Sequence, residues 1–117
     1  MNFKFEKIII WQKAMDYGEV INDLSLQLPE EEKFNLAVQI RRAADSIGLN
    51  IAEGSIGQSN PEFRRFIGYS IRSLAEVITC LHKIKRRNYV SEKVFNQLYG
   101  EAFVLMNMLN AFRKNIR

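Results

Sequence analysis

Between Leu36 and Gly54 the chain reads Leu-Ala-Val-Gln-Ile-Arg-Arg-Ala-Ala-Asp-Ser-Ile-Gly-Leu-Asn-Ile-Ala-Glu-Gly. Its polar residues Gln39, Arg42, Ser46, Asn50 and Glu53 recur at steps of three, four, four and three. On a helix of about 3.6 residues per turn that spacing draws one continuous polar line. An apolar line of Leu36, Ile40, Ala43, Ile47 and Ile51 runs beside it. A solvated face tolerates any hydrophilic residue, so an ordered line predicts polar groups held at a seam between helices.

The punctuation around this run predicts four helices, over roughly residues 8–27, 30–53, 60–87 and 91–115. Ile9, Ile10, Ala14, Tyr17, Val20, Ile21 and Leu24 repeat at helical spacing before Pro29. Pro29 with Glu30, Glu31 and Glu32 forms an acidic first turn, which suits the positive end of a helix dipole. Gly54 reads as a C-terminal stop. Ser59 with Glu62 reads as a capping box, and Ser91 as a helix N-cap. Helices of this length, joined by short turns, predict a single all-α domain over residues 1–117, an antiparallel up-down-up-down four-helix bundle.

About the turn near residues 55–59, antiparallel pairing sets Arg42 opposite Ser73 and close to Glu76. An Arg42–Glu76 ion pair is therefore expected in a polar seam of Gln39, Arg42, Ser46, Asn50, Glu53, Ser73 and Glu76. Glu53 is expected to bond backbone amides at the start of the third helix. The fourth helix spreads its apolar residues over roughly 220° of arc, where a bundle helix needs little more than about 100°. The surplus predicts association with further copies of the chain, with Phe95, Tyr99, Phe103, Met106 and Met108 as candidate interface residues.

Charge is segregated. The first 32 residues are net acidic, whereas the formal charge of the whole chain is +4. The basic surplus falls at Arg41, Arg64, Arg65, Arg72, Lys83, Lys85, Arg86 and Arg87, the candidate nucleic-acid-binding residues. The same charges suit an acidic surface on a neighbouring subunit equally well.

Nothing in the chain assembles a catalytic or metal-binding constellation, so no enzyme, metal or cofactor is expected. His82 is the sole histidine and lacks a companion ligand one turn away. Cys80, the one cysteine, reads as a small packed hydrophobe, and Trp11 as an anchor between helices. A single cysteine, no signal peptide and no run of about 18 apolar residues lead to an expected cytoplasmic location away from membranes.

Trp11-Gln-Lys-Ala14, Pro29 with Glu32, Gln39-Ile-Arg-Arg-Ala43, Ser46-Ile47 and Asn50-Ile-Ala-Glu-Gly54 form a pattern that continues at Phe63 with Phe66, Ser73-Leu-Ala-Glu76 and Tyr89. Over nearly its whole length the chain resembles the 23S rRNA intervening-sequence protein family. The resemblance implies a left-handed four-helix bundle, a ring-like homopentamer and no established enzymatic activity. A similar pentameric bundle, the accessory protein of diversity-generating retroelements, binds nucleic acid and a reverse transcriptase, which implies RNA, DNA or protein partners by analogy. Family members often carry a small residue, usually glycine, where Arg72 stands, and if that position faces the second helix Arg72 is expected to turn outward. The expected function is a non-catalytic oligomeric module that binds RNA or DNA through basic helix surfaces. The alternative is a structural or protein-adaptor ring.

Overall fold

Four helices account for most of the chain, with no strand, in a computed structural model that describes residues 1–117. A 3₁₀ turn at Lys4–Lys7 precedes α1 (Ile9–Leu26); α2 (Leu36–Ser55), α3 (Asn60–Arg86) and α4 (Glu92–Asn115) follow. The molecule measures 43 × 24 × 23 Å, close to the length of its longest helix at ~1.5 Å per residue. None of the helices is long and apolar enough to cross a membrane.

The helix ends follow from local chemistry. Ser59 Oγ accepts from the Glu62 amide at 3.2 Å and Ser91 Oγ from the Val94 amide at 3.1 Å, so both N-caps form as expected. Glu62 reaches back to the Gln58 amide at 3.3 Å, one residue before the cap. At the far end of α3 the Tyr89 amide bonds Ile84 O and the Asn88 amide bonds Lys85 O. That pair of bonds is a Schellman ending, with Asn88 in the left-handed conformation at φ 61°.

Two boundary expectations are corrected. The second helix begins at Leu36, not at Glu30, because Glu30–Glu32 is a separate 3₁₀ turn that swings Glu32 inward. Gly54 does not stop α2, which runs on to Ser55 without a positive φ. Its function is close approach: a Cβ there would lie 2.7 Å from Phe66 Cβ and 2.9 Å from Phe63 Cδ1.

The core is continuous across all four helices, and Ile21, Ile40, Ile47, Ile51, Leu74 and Leu81 are wholly buried within it. α2 packs most closely on α3 and then on α1, and of the neighbouring helix pairs α1 and α4 touch least. Contact partners descend along one helix as they ascend along the next: Ser46 meets Ser73, Ile47 meets Ser70, and Gly54 meets Phe66. Likewise Gly68 meets Arg113 and His82 meets Tyr99 across α3 and α4.

Candidate nucleic-acid interface

The polar line of α2 splits into two. Asn50 Nδ2 donates to Ser46 O at 2.8 Å and to Ser46 Oγ at 3.0 Å. Ser73 Oγ bonds Ser46 Oγ at 2.9 Å, and buried Ser70 Oγ donates to Ile47 O at 2.8 Å. These small groups make the seam between α2 and α3. Arg42, Glu53 and Glu76 are exposed, and the expected Arg42–Glu76 ion pair does not form. At ~100° per residue, Arg42 and Glu53 lie roughly 60–80° farther from the core than Asn50. Their charged ends stay in water, because burying an ion costs more than a seam pair returns. Glu53 makes no bond to the start of α3, and Gln39 turns to Asn35 Oδ1 at 2.8 Å.

Of the eight basic candidates, three come together. Arg64, Arg65 and Arg72 line one concavity of about 390 Å³ with Pro61, Gly68, Tyr69, Ile71 and Arg113. Helix periodicity puts the three α3 arginines on the shoulder that faces α4. Gly68 opens the floor of the cleft, since a Cβ there would sit 3.3 Å from an Arg113 guanidinium nitrogen. Arg64 is half-buried and donates to Ile116 O at 3.1 Å, which ties the C-terminal end to α3. Arg72 is exposed and turned outward. Glu62 stands 4.0 Å from Arg65 in a solvated i,i+3 pair of little strength, and exposed Glu76 follows Arg72 by one turn of α3. Planar guanidinium forks with so little neutralisation suit phosphate or carboxylate oxygens.

The remaining basic residues are dispersed. Arg41 donates to Ser25 Oγ at 3.1 Å between α1 and α2. Lys83 and Arg86 are exposed toward the C-terminal end of α3, and Lys85 Nζ lies 4.5 Å above the Phe95 ring. Arg87 is engaged by buried Glu32: its guanidinium donates to Glu32 Oε2 at 2.7 Å. Tyr89 donates to the same oxygen at 2.8 Å and Asn35 to Oε1 at 3.0 Å. The Tyr89 bond, with help from Arg87 and Asn35 and against the effect of burial, holds the Glu32 carboxyl below the usual carboxylate range. The same bond pushes the Tyr89 phenol up. This corner pins the turn before α2 to the turn after α3.

Of the candidate interface residues on α4, helix periodicity puts Phe95, Tyr99, Phe103 and Met106 within one arc of about 80° and Met108 apart from them. Phe95 is buried, Tyr99 and Phe103 are exposed beside α3, Met106 is half-buried, and half-buried Met108 borders a groove toward α1. His82 is exposed and packs edge-on against Phe95 and Tyr99, with ring centroids 5.2 and 5.9 Å away. Trp11 packs on Phe5 at 5.3 Å. Cys80 is buried in the core, and burial pushes its thiol up. Arg113 and the Glu32–Tyr89 corner had escaped the sequence reading. A basic residue near a helix end reads as a dipole partner until register sets it against Gly68.

Fold and site together define a four-helix bundle with one arginine-lined cleft on the α3–α4 side. Residues 6–111 match the model of the 23S rRNA-intervening sequence protein family, and the chain belongs to that family. A protein of unknown function from the S23 ribosomal protein family of Bacteroides thetaiotaomicron, solved at 1.70 Å, shares the fold with a TM-score of 0.85. The two are 23% identical, and the match covers 92% of this chain and 96% of that one. No curated protein matches the chain.

Proposed function

We propose that the protein is a non-catalytic, oligomeric bundle that binds RNA or DNA through the cleft of Arg64, Arg65, Arg72 and Arg113. The observation that carries this reading is the convergence of four guanidinium groups on one concavity whose lining includes no carboxylate. Such a site neutralises phosphates and releases their counterions, so affinity falls linearly with salt on logarithmic axes. In this reading the bundle runs up-down-up-down and closes into a ring-like homopentamer. Val94 and Val104, apolar residues left exposed on α4, support association.

The test is fluorescence anisotropy with labelled RNA and DNA at rising salt, with the assembly sized in the same samples. A steep salt dependence that Arg65→Glu with Arg72→Glu abolishes is the expected result. Neither residue belongs to the core, so the pair leaves the fold intact. Salt-independent binding, or none, overturns the reading. The open groove of about 550 Å³ between α1 and α4, lined by Val20, Val104 and Met108, favours a second reading as a structural or protein-adaptor ring. In that case the arginine reversals leave nucleic acid unbound as before and disturb assembly instead.

A further inference from the structure

His82, Phe95 and Tyr99 form an aromatic cluster outside the arginine cleft, yet both lie along the line where α3 packs on α4. Contacts at two points set its course: Gly68 meets Arg113, and His82 meets Tyr99. The interval from Gly68 to His82 spans about 21 Å of helix. On the α3 shoulder Arg65, Arg72, Thr79 and Arg86 recur every seven residues, all of them exposed. On the α4 shoulder Tyr99, Phe103, Met106, Asn110 and Arg113 recur at steps of four, three, four and three. Guanidinium groups thus stand at one end and flat rings farther along, with Phe103 57% and Tyr99 39% exposed. Lys85, above the Phe95 ring, carries positive charge into the aromatic end. Glu76 follows Arg72 by one turn on α3 and Glu92 precedes Tyr99 by seven residues on α4, both exposed, while Glu101 borders the opposite groove toward α1.

We infer that the α3–α4 groove holds a single-stranded segment of nucleic acid. Its phosphates lie at the arginine end, and its unpaired bases stack on Tyr99, His82 and Phe103. The inference rests on the nucleic-acid reading above and adds the state of the strand. A duplex keeps its bases stacked inside and offers these rings only sugar and phosphate. A free strand offers a π-face at every base, so stacking tolerates any base order.

Anisotropy of the full-length protein with oligo-U and oligo-dT of about twelve nucleotides, against a duplex of the same length, tests this. Single strands are expected to bind at least about tenfold more tightly than the duplex. Tyr99→Ala with Phe103→Ala weakens the single-strand complex about tenfold, keeps its salt slope and leaves duplex binding unchanged. Tyr99→Phe, which keeps the ring, binds as the parent does. Arg72→Ala lowers the salt slope by about one for either probe. Circular dichroism melts confirm that the alanine variants fold. Equal affinity for strand and duplex, or indifference to loss of the rings, sinks the track while the nucleic-acid reading stands. A changed subunit number in the ring variants also overturns it, because a second copy of the chain then covers Tyr99 and Phe103. Absence of binding to every probe removes the underlying reading itself.

Discussion

Gly54 in the last turn of α2 and Gly100 in the interior of α4 have surroundings that differ completely. At Gly54 the α2 backbone lies directly against Phe63 and Phe66 of α3, with no room for a methyl group. At Gly100 an added Cβ meets nothing within 4 Å, because α4 stands away from α1 across an open groove. The α2–α3 side is closed, with its small polar groups satisfied internally. The α4 side leaves Phe103 and Val104 more than half exposed and gathers the arginines. Close packing on one flank and exposed apolar and basic side chains on the other are thus separated, so substitutions on one flank need not disturb the other.

The largest effect expected from this contrast is at Gly54. Gly54→Ala forces Phe66 and its backbone outward and destabilises the fold by about 1–3 kcal/mol, read as a shift of the denaturant midpoint. An unchanged midpoint there means that the seam yields more easily than its geometry implies. Gly100→Ala moves the other way: relieved of a helix-interior glycine, α4 gains up to about 1 kcal/mol. A loss at Gly100 instead of a gain indicates that another chain fills the α1–α4 groove in solution.

An effect that is full at neutral pH and fades in acid sharpens the comparison at the end of the bundle where the turns meet. Glu32 titrates below its unfolded value, so the unfolded chain binds its proton first as pH falls. The stabilisation is present above the ordinary carboxylate range and fades as pH drops toward the lowered native value. Tyr89→Phe removes the main cause of that lowering, narrows the window and flattens the acid limb of a melting-temperature profile. Parallel acid limbs for the two proteins mean that the Tyr89 bond does not govern Glu32.

Much of the fold was readable in advance because its signals are local. Ser59 and Ser91 cap the helices they were expected to cap, and the Ile40, Ile47 and Ile51 stripe is buried as its period demands. The α2 start escaped because Glu32, which reads locally as a dipole residue, is drawn to Arg87 and Tyr89 far along the chain. Arg42 escaped for a related reason: period places it on the polar line, but only the angle to α3 separates a half-buried Ser46 from an exposed guanidinium. Among the basic candidates, charge alone could not separate Arg65 and Arg72 in the cleft from Arg41 and Arg87 held by polar partners.

Helix number, the capped starts of α3 and α4 and the buried stripes were settled by the order of residues, since capping, dipole and periodicity act within a turn or two of chain. Which charges stay free and which rings stay uncovered were settled by packing. Those properties depend on what a neighbouring helix places within a few ångströms, and residues as distant as Glu32 and Tyr89, or Gly68 and Arg113, become neighbours only when the bundle closes.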